Sequence, residues 1–200
     1  MIKMRTIALI LLIASTVSFV QSAKPVTDYL GVPGPILFQN KIYDLNWSAH
    51  PADNYYKQEY LVKGDPENNY STMILIEAIT NPANIKDIVS GKIAALKKLK
   101  AQNPIVNYEV FDNAGIGEYM IDFLLSQNTA DGKVAIVERN VYRYKVFTDK
   151  SGHKVVLLFG VSTRSYGNDI DNFLLALKSN RKILNNTVAK FTMPEITIKN

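Results

Sequence analysis

The sequence predicts an α+β domain in which an antiparallel sheet of about seven strands packs with two helices, in the chain order β-β-β-α-β-β-β-β-α. Seven segments carry strand-like patterns, and two carry the three-and-four spacing of an amphipathic helix. Short turns join the strands within each run. Short links favour antiparallel neighbours, whereas parallel strands would need a crossover connection between each pair.

The predicted strands form a group of three before the first helix and a group of four after it. Along the first strand Tyr43, Leu45 and Trp47 alternate with polar residues, as in a strand with one buried face. The seven segments are Ile42 to Trp47, Tyr55 to Val62, Ser71 to Ile79, Val106 to Phe111, Glu118 to Ser126, Val134 to Thr148 and Lys154 to Arg164. The turn-forming sequence Asp149 to Gly152 predicts a hairpin between the last two.

Two segments have the period of a helix. The first follows Pro82, ends before Asn103 and Pro104, and has an apolar face made by Ile85, Ile88, Val89, Ile93, Leu96 and Leu99. The second follows Gly167, can be capped by Asn168 or Asp169, and has an apolar face made by Ile170, Phe173, Leu174 and Leu177. Both patterns are typical of helices that pack one face on a sheet.

The N-terminus has the three parts of a secretory signal peptide. Lys3 and Arg5 precede an apolar run, and the small residues Ser22 and Ala23 follow it. The predicted organisation is a signal peptide over 1–23 cleaved near Ser22 or Ala23, a Pro- and Gly-rich lead-in over 24–35, a single domain over 36–185, and a tail over 186–200. We therefore expect a periplasmic or secreted protein without stable membrane insertion after cleavage.

Composition excludes several classes of function. With no cysteine, the chain has no disulfide, thiol nucleophile or lipidated cysteine. The net charge of +5 is mild and acidic residues are interleaved with basic ones, so we expect no nucleic-acid partner. The one dense basic run, Lys97, Lys98 and Lys100, is explained by the end of a helix, although attachment to an anionic membrane surface is an alternative.

Local motifs do not indicate a catalytic site. Ser90, Gly91 and Lys92 look like the end of a phosphate-binding loop, but Lys86 stands where its first Gly belongs and Ile93 where Ser or Thr is required. We expect no cofactor, because no glycine-rich cofactor-binding motif is complete, and no metal, because the only two histidines fall in predicted turns.

The order of elements over most of residues 36–185 resembles that of the PsbP-like extrinsic photosystem proteins. The resemblance implies an α/β/α sandwich, and in that family the fold mostly serves as a binding or assembly-assisting module. It lies in topology alone, so no residue role is carried over to this chain.

Polar and aromatic residues on the predicted strands are the candidates for a site. Outward-facing residues on a half-solvated sheet explain them simply. The alternative is convergence on one concave face that binds a ligand, with Tyr55, Tyr142 and Tyr144 also at its rim, because Tyr, Trp and Arg dominate recognition sites. The nine candidate ligand-binding residues are Trp47, Tyr56, Glu59, Tyr60, Glu77, Asp122, Glu138, Arg139 and Arg143.

Two functions follow from these candidates. The first is an exported, non-catalytic binding or accessory module whose partner is a protein or a small polar ligand. The second is a hydrolase of envelope polymers that uses paired carboxylates, either Glu59 with Glu77 or Asp122 with Glu138. Because no catalytic motif is present, the first is the better prediction, and the oligomeric state is left open.

Overall fold

The computed structural model describes residues 25–82 and 84–199. The predicted signal peptide lies outside these residues. One eight-stranded sheet runs through the structure, and every neighbouring pair of strands in it is antiparallel. The α+β class and the antiparallel sheet are therefore confirmed, with eight strands instead of about seven.

The strands follow a simple order across the sheet, β1-β2-β3-β4-β8-β7-β6-β5. Their bounds are β1 Ile36–Phe38, β2 Lys41–Ala52, β3 Tyr55–Val62, β4 Thr72–Thr80, β5 Asn107–Asn113, β6 Glu118–Asn128, β7 Val134–Thr148 and β8 Lys154–Tyr166. The long strands β7 and β8 form the predicted hairpin at the centre. Its turn is closed by Asp149, whose carboxylate accepts hydrogen bonds from the backbone N–H groups of Ser151 and His153 at 2.9 and 2.7 Å.

The strand missing from the sequence prediction is β1. It has three residues, too few to show an alternating pattern, and it joins β2 through a turn in which Gln39 and Asn40 have φ of 48° and 61°. Positive φ at both central positions matches the twist of a tight hairpin. A Gln-Asn pair lacks the glycine by which such turns are usually found in a sequence.

The two helices lie on opposite faces of the sheet. Helix α1, Ile85–Lys100, buries Val89 and Leu96 against Leu75 and Leu158. Asn84 caps its first turn by accepting a hydrogen bond from the Lys86 N–H at 2.9 Å. We call the surface under this helix the α1 face.

Helix α2, Ile170–Lys190, buries Leu184 and Val188 against the other side of the sheet, the α2 face. Asp169 precedes the helix but its side chain makes no capping hydrogen bond, unlike the prediction. The layers are therefore helix, sheet, helix, in agreement with the arrangement that the resemblance implied. A relationship between this chain and the PsbP-like proteins themselves stays a prediction.

Both ends of the described chain pack on the α2 face. Leu30 and Ile196 are fully buried, although residues 25–35 and 192–199 contain no helix or strand. The Thr197 N–H donates to the Leu30 carbonyl at 2.8 Å, which joins the two segments. Packing therefore extends beyond the predicted domain limits of 36–185, and α2 continues through the first part of the predicted tail.

Candidate functional site

The nine predicted site residues do not converge on one face. Successive strand residues point to opposite sides of a sheet, so two residues an odd number apart, such as Tyr56 and Glu59, are separated by the sheet itself. Four lie on the α1 face, namely Trp47, Glu59, Glu77 and Glu138, and five lie on the α2 face, namely Tyr56, Tyr60, Asp122, Arg139 and Arg143.

The five residues on the α2 face are engaged in packing and in anchoring. Tyr60 is fully buried, and Tyr56 stacks on the ring of His50 with centroids 4.1 Å apart. Arg143 pairs with Glu118 at 2.9 Å and donates to the Phe191 carbonyl at 2.8 Å, so it holds the end of α2.

Asp122 and Arg139 form the centre of a buried ion cluster beneath α2. Two hydrogen bonds of 3.1 Å join the Arg139 guanidinium to the Asp122 carboxylate. Arg181 binds the same carboxylate at 2.6 Å, and Asn185 binds it at 3.1 Å. Arg139 also donates to the Arg181 carbonyl at 2.7 Å. Because Arg181 and Asn185 belong to α2, this anchor cluster fastens the helix to the sheet.

The anchor cluster predicts a loss of stability in acid. Burial alone would raise the pKa of Asp122, but hydrogen bonds and charge from Arg139 and Arg181, with Asn185, hold that pKa below its ordinary value. A depressed folded-state pKa contributes stability that is present above the unfolded value of about 3.9 and disappears as the pH falls through the folded value.

In urea titrations we therefore expect the unfolding midpoint to fall steeply below about pH 4, and to fall less in Asp122→Asn than in the wild type. Parallel curves for the two proteins across this range would contradict a role for the Asp122 carboxylate. Comparison of the two proteins is needed because the pKa of Glu118 and that of Asp149 are lowered too.

On the α1 face, Glu138 and Glu59 already have partners. Glu138 accepts a hydrogen bond from the Tyr70 hydroxyl at 2.9 Å and pairs with Arg164. Glu59 pairs with Lys57 at 2.7 Å and lines a depression of about 220 Å³ beside Trp47. Glu77 is the predicted carboxylate on this face that forms no ion pair in the described part of the chain, and it lines a larger pocket.

Glu77 lines a pocket of about 540 Å³ between α1 and strands β3, β4, β7 and β8, which we call the α1 pocket. Pockets that bind small molecules have volumes of about 300–1,000 Å³. The lining residues are Asn54, Tyr55, Lys57, Glu77, Ile79, Ile88, Lys92, Tyr142, Tyr144, Val156 and Leu158. Three of the predicted rim tyrosines are among them.

The Lys92 side chain enters this pocket from α1. Its ammonium lies over two aromatic rings, 4.6 Å from the centroid of Phe123 and 5.2 Å from that of Tyr142. Within the part of the chain that the structure describes, no ion pair shorter than 4.0 Å includes Lys92 or Glu77. The pocket therefore contains a cation and an anion that are not paired with each other.

Burial shifts both groups toward their neutral forms. It raises the pKa of Glu77, against the Tyr55 hydroxyl and the charges of Lys57 and Lys92. It lowers the pKa of Lys92, against the charge of Glu77. Desolvation disfavours the charged form of each group. The neighbouring opposite charges act against this effect of burial on the two pKa values, but they offset it only in part.

Sequence analysis missed Lys92. The phosphate-loop match that contains it fails at Lys86 and Ile93, so Lys92 was not considered further. A different signal was present. Ile85, Val89, Lys92 and Leu96 are spaced four, three and four residues apart, so they share one face of α1. A lysine within the buried stripe of a helix marks a functional candidate.

Gly160 gives the α1 pocket its shape. It lies opposite Tyr142 in the β7–β8 pairing, and a Cβ added there would meet the Tyr142 ring at 2.9 Å. We expect Gly160→Ala to displace this ring and to lower the free energy of unfolding by about 1–3 kcal/mol, measured in urea. Gly91→Ala in α1 is the matched control, because its new Cβ would have no atom within 4 Å.

The control variant should be neutral or stabilised by up to about 1 kcal/mol, since alanine is the better helix former. Equal losses in the two variants would contradict the proposed contact between Gly160 and Tyr142.

Other pockets are present, among them one of about 250 Å³ beneath α2 that is lined in part by Asp122, Arg139 and Arg181 of the anchor cluster. In residues 25–82 and 84–199, no three His, Asp or Glu side chains gather closely enough to hold a metal ion. Over the same residues neither helix is long and apolar enough to cross a membrane. Lys97 and Lys98 are exposed in the last turn of α1, and Lys100 donates to the Asn107 side chain at 2.8 Å.

The fold and the α1 pocket define a three-layered α/β/α domain with a pocket between helix α1 and the antiparallel sheet. Comparison with known proteins adds a family relationship. A family model matches residues 30–193, and the chain belongs to that family. No curated protein matches the chain.

Proposed function

We propose that this chain is an exported, non-catalytic binding module that holds a small ligand in the α1 pocket. The observation that carries the proposal is a pocket with apolar and polar walls into which Glu77 and Lys92 bring opposite charges that form no ion pair with each other. Apolar walls with a few placed polar groups are the usual composition of a ligand site. The signal-peptide pattern and the lack of cysteine support export.

The arrangement of carboxylates supports binding over hydrolysis. Asp122 and Glu138 lie on opposite faces of the sheet, so they have no common substrate. Glu59 and Glu77 share a face on neighbouring strands, but Glu59 is held by Lys57 and lines a different depression. Acid and base on either side of a scissile bond need a shared cleft.

Capture of a ligand tests the proposal. Protein without residues 1–23 is dialysed against a small-molecule extract of the source cell envelope, and retained compounds are released and identified by mass spectrometry. We expect one compound to be retained at about one per protein and recovered with its mass unchanged. Retention of no compound, or release of cleavage products, would contradict a non-catalytic binding module.

A blocked pocket provides the specificity control. Ile88 lines the pocket, so Ile88→Trp should fill part of it and abolish retention. Ala95 is exposed on the same helix, so Ala95→Trp adds the same ring to the surface and should retain the compound as the wild type does. Retention by both variants would place binding elsewhere.

A further inference from the structure

From the pair of charges in the α1 pocket, we infer that its ligand is a small zwitterion with an apolar body, of the amino-acid type. This inference rests on the proposed function and adds the chemical class of the ligand. The ligand carboxylate would bind the Lys92 ammonium, and the ligand ammonium would bind the Glu77 carboxylate.

The two pocket charges select against ligands that have one charge. An anion attracted to Lys92 is repelled by Glu77, and a cation attracted to Glu77 is repelled by Lys92. In either case one half-buried protein charge stays without an oppositely charged partner, and such a charge in a partly desolvated site is costly. A zwitterion supplies an oppositely charged partner to each residue. Of the three ligand types, only the zwitterion therefore compensates the desolvation cost of both groups.

Contacts with two aromatic rings hold the Lys92 ammonium in the α1 pocket. Its ammonium lies over the Phe123 and Tyr142 rings, which attract a cation through their π faces. Lys57, the other lysine at the pocket, is paired with Glu59 at 2.7 Å. Lys92 is therefore the cation that a ligand carboxylate meets.

The remaining walls fit an apolar side chain. Ile79, Ile88, Val156 and Leu158 line the pocket together with the rings of Tyr142 and Tyr144. Burial of aliphatic or aromatic groups against such walls is favourable in proportion to the apolar area removed from water. An amino acid with a branched aliphatic or aromatic side chain combines this body with the two charges.

Three probes that share the leucine side chain and differ in charge test the inference by calorimetry at pH 7. L-leucine carries both charges, N-acetyl-L-leucine only the negative one and L-leucinamide only the positive one. We expect the wild type to bind L-leucine at least about tenfold more tightly than either blocked analogue. A blocked analogue that binds as tightly as L-leucine, or no binding by any probe at about 10 mM, would overturn the inference.

Variants of the two charged residues assign each charge. In Glu77→Gln, N-acetyl-L-leucine should gain at least about tenfold relative to L-leucine because the repelling carboxylate is gone. In Lys92→Met, L-leucinamide should gain relative to L-leucine. Lys98→Met removes an exposed lysine of the same helix and should leave the wild-type order unchanged. Unchanged preferences in the two pocket variants would also overturn the inference.

The outcome separates this inference from the proposed function. If envelope capture yields a compound with a single charge, the pocket is a ligand site and the zwitterion inference is wrong. If capture fails as well and Ile88→Trp behaves as the wild type, the proposed function fails with it.

Discussion

Asp122→Asn is expected to lower the free energy of unfolding by about 3–5 kcal/mol, because it removes the negative charge from a buried ion pair and leaves Arg139 as an uncompensated buried cation. The Arg139 residue is 3% exposed, and the Asp122 residue is 1% exposed. Urea unfolding at pH 7 measures the effect. The loss should be accompanied by weaker docking of α2, since Arg181 and Asn185 bind the same carboxylate.

An exposed ion pair of the same helix is the matched control. Glu109 binds Arg181 at 3.3 Å and is about half exposed, so Glu109→Gln should cost less than about 1 kcal/mol. A second control replaces both buried charges, Asp122→Leu with Arg139→Met, and should recover much of the loss, because the half-exposed Arg181 still pairs with Glu109 and no unpaired buried charge is left. A loss in Asp122→Asn no larger than that in Glu109→Gln would contradict the anchor cluster.

Gln58→Ala is expected to cost about 3 kcal/mol, because it leaves a buried backbone donor unpaired and creates a cavity. Gln58 is fully buried. It accepts a hydrogen bond from the Leu30 N–H at 2.9 Å and donates to the Tyr60 hydroxyl at 2.7 Å. The Tyr60 hydroxyl in turn donates to the Val32 carbonyl at 2.7 Å.

Loss of this network should also release the segment before β1. Limited proteolysis should therefore cut Gln58→Ala between residues 25 and 35 faster than the wild type. Gln102→Ala is the control, because that side chain is exposed after α1 and its removal should change stability by less than about 0.5 kcal/mol. Equal stability of the two variants would contradict the role of Gln58 in holding the N-terminal segment.

Elements with a long repeating pattern could be predicted from the sequence. The β7–β8 hairpin and helix α1 follow from the alternation on each side of Asp149 and from the spacing of Ile85, Val89 and Leu96. Helix α2 was predicted only in its first half, because its second half contains Asn185, which is polar yet buried in the anchor cluster. A buried polar residue breaks the pattern from which burial is predicted.

The sequence indicates individual candidate residues for a site, but it does not show which of them lie together. The sequence singles out Glu77 as a charge among apolar neighbours, and the structure places it in the α1 pocket. Its grouping with Asp122 and Arg143 failed because strand position decides the face, and pairing in the sheet decides which residues on that face meet. Lys92 enters the same pocket from a helix, and its position there depends on how the helix docks on the sheet, which no local pattern contains.

The segment before β1 shows the same limit. Its prolines and glycines correctly predict the lack of regular structure in residues 25–35. They do not indicate that Leu30 is buried, because that burial depends on Gln58, a polar residue on the sheet face opposite α1. Long-range hydrogen bonds of this kind set the true limits of the packed domain.

The most direct test of ligand binding in the α1 pocket is a crystal structure of the protein with the compound captured from the envelope extract. The proposed function predicts electron density for an intact compound between α1 and the sheet, in contact with the Lys92 ammonium and the Glu77 carboxylate. Density confined to the α2 face or to the protein surface, with the α1 pocket holding only solvent, would contradict it.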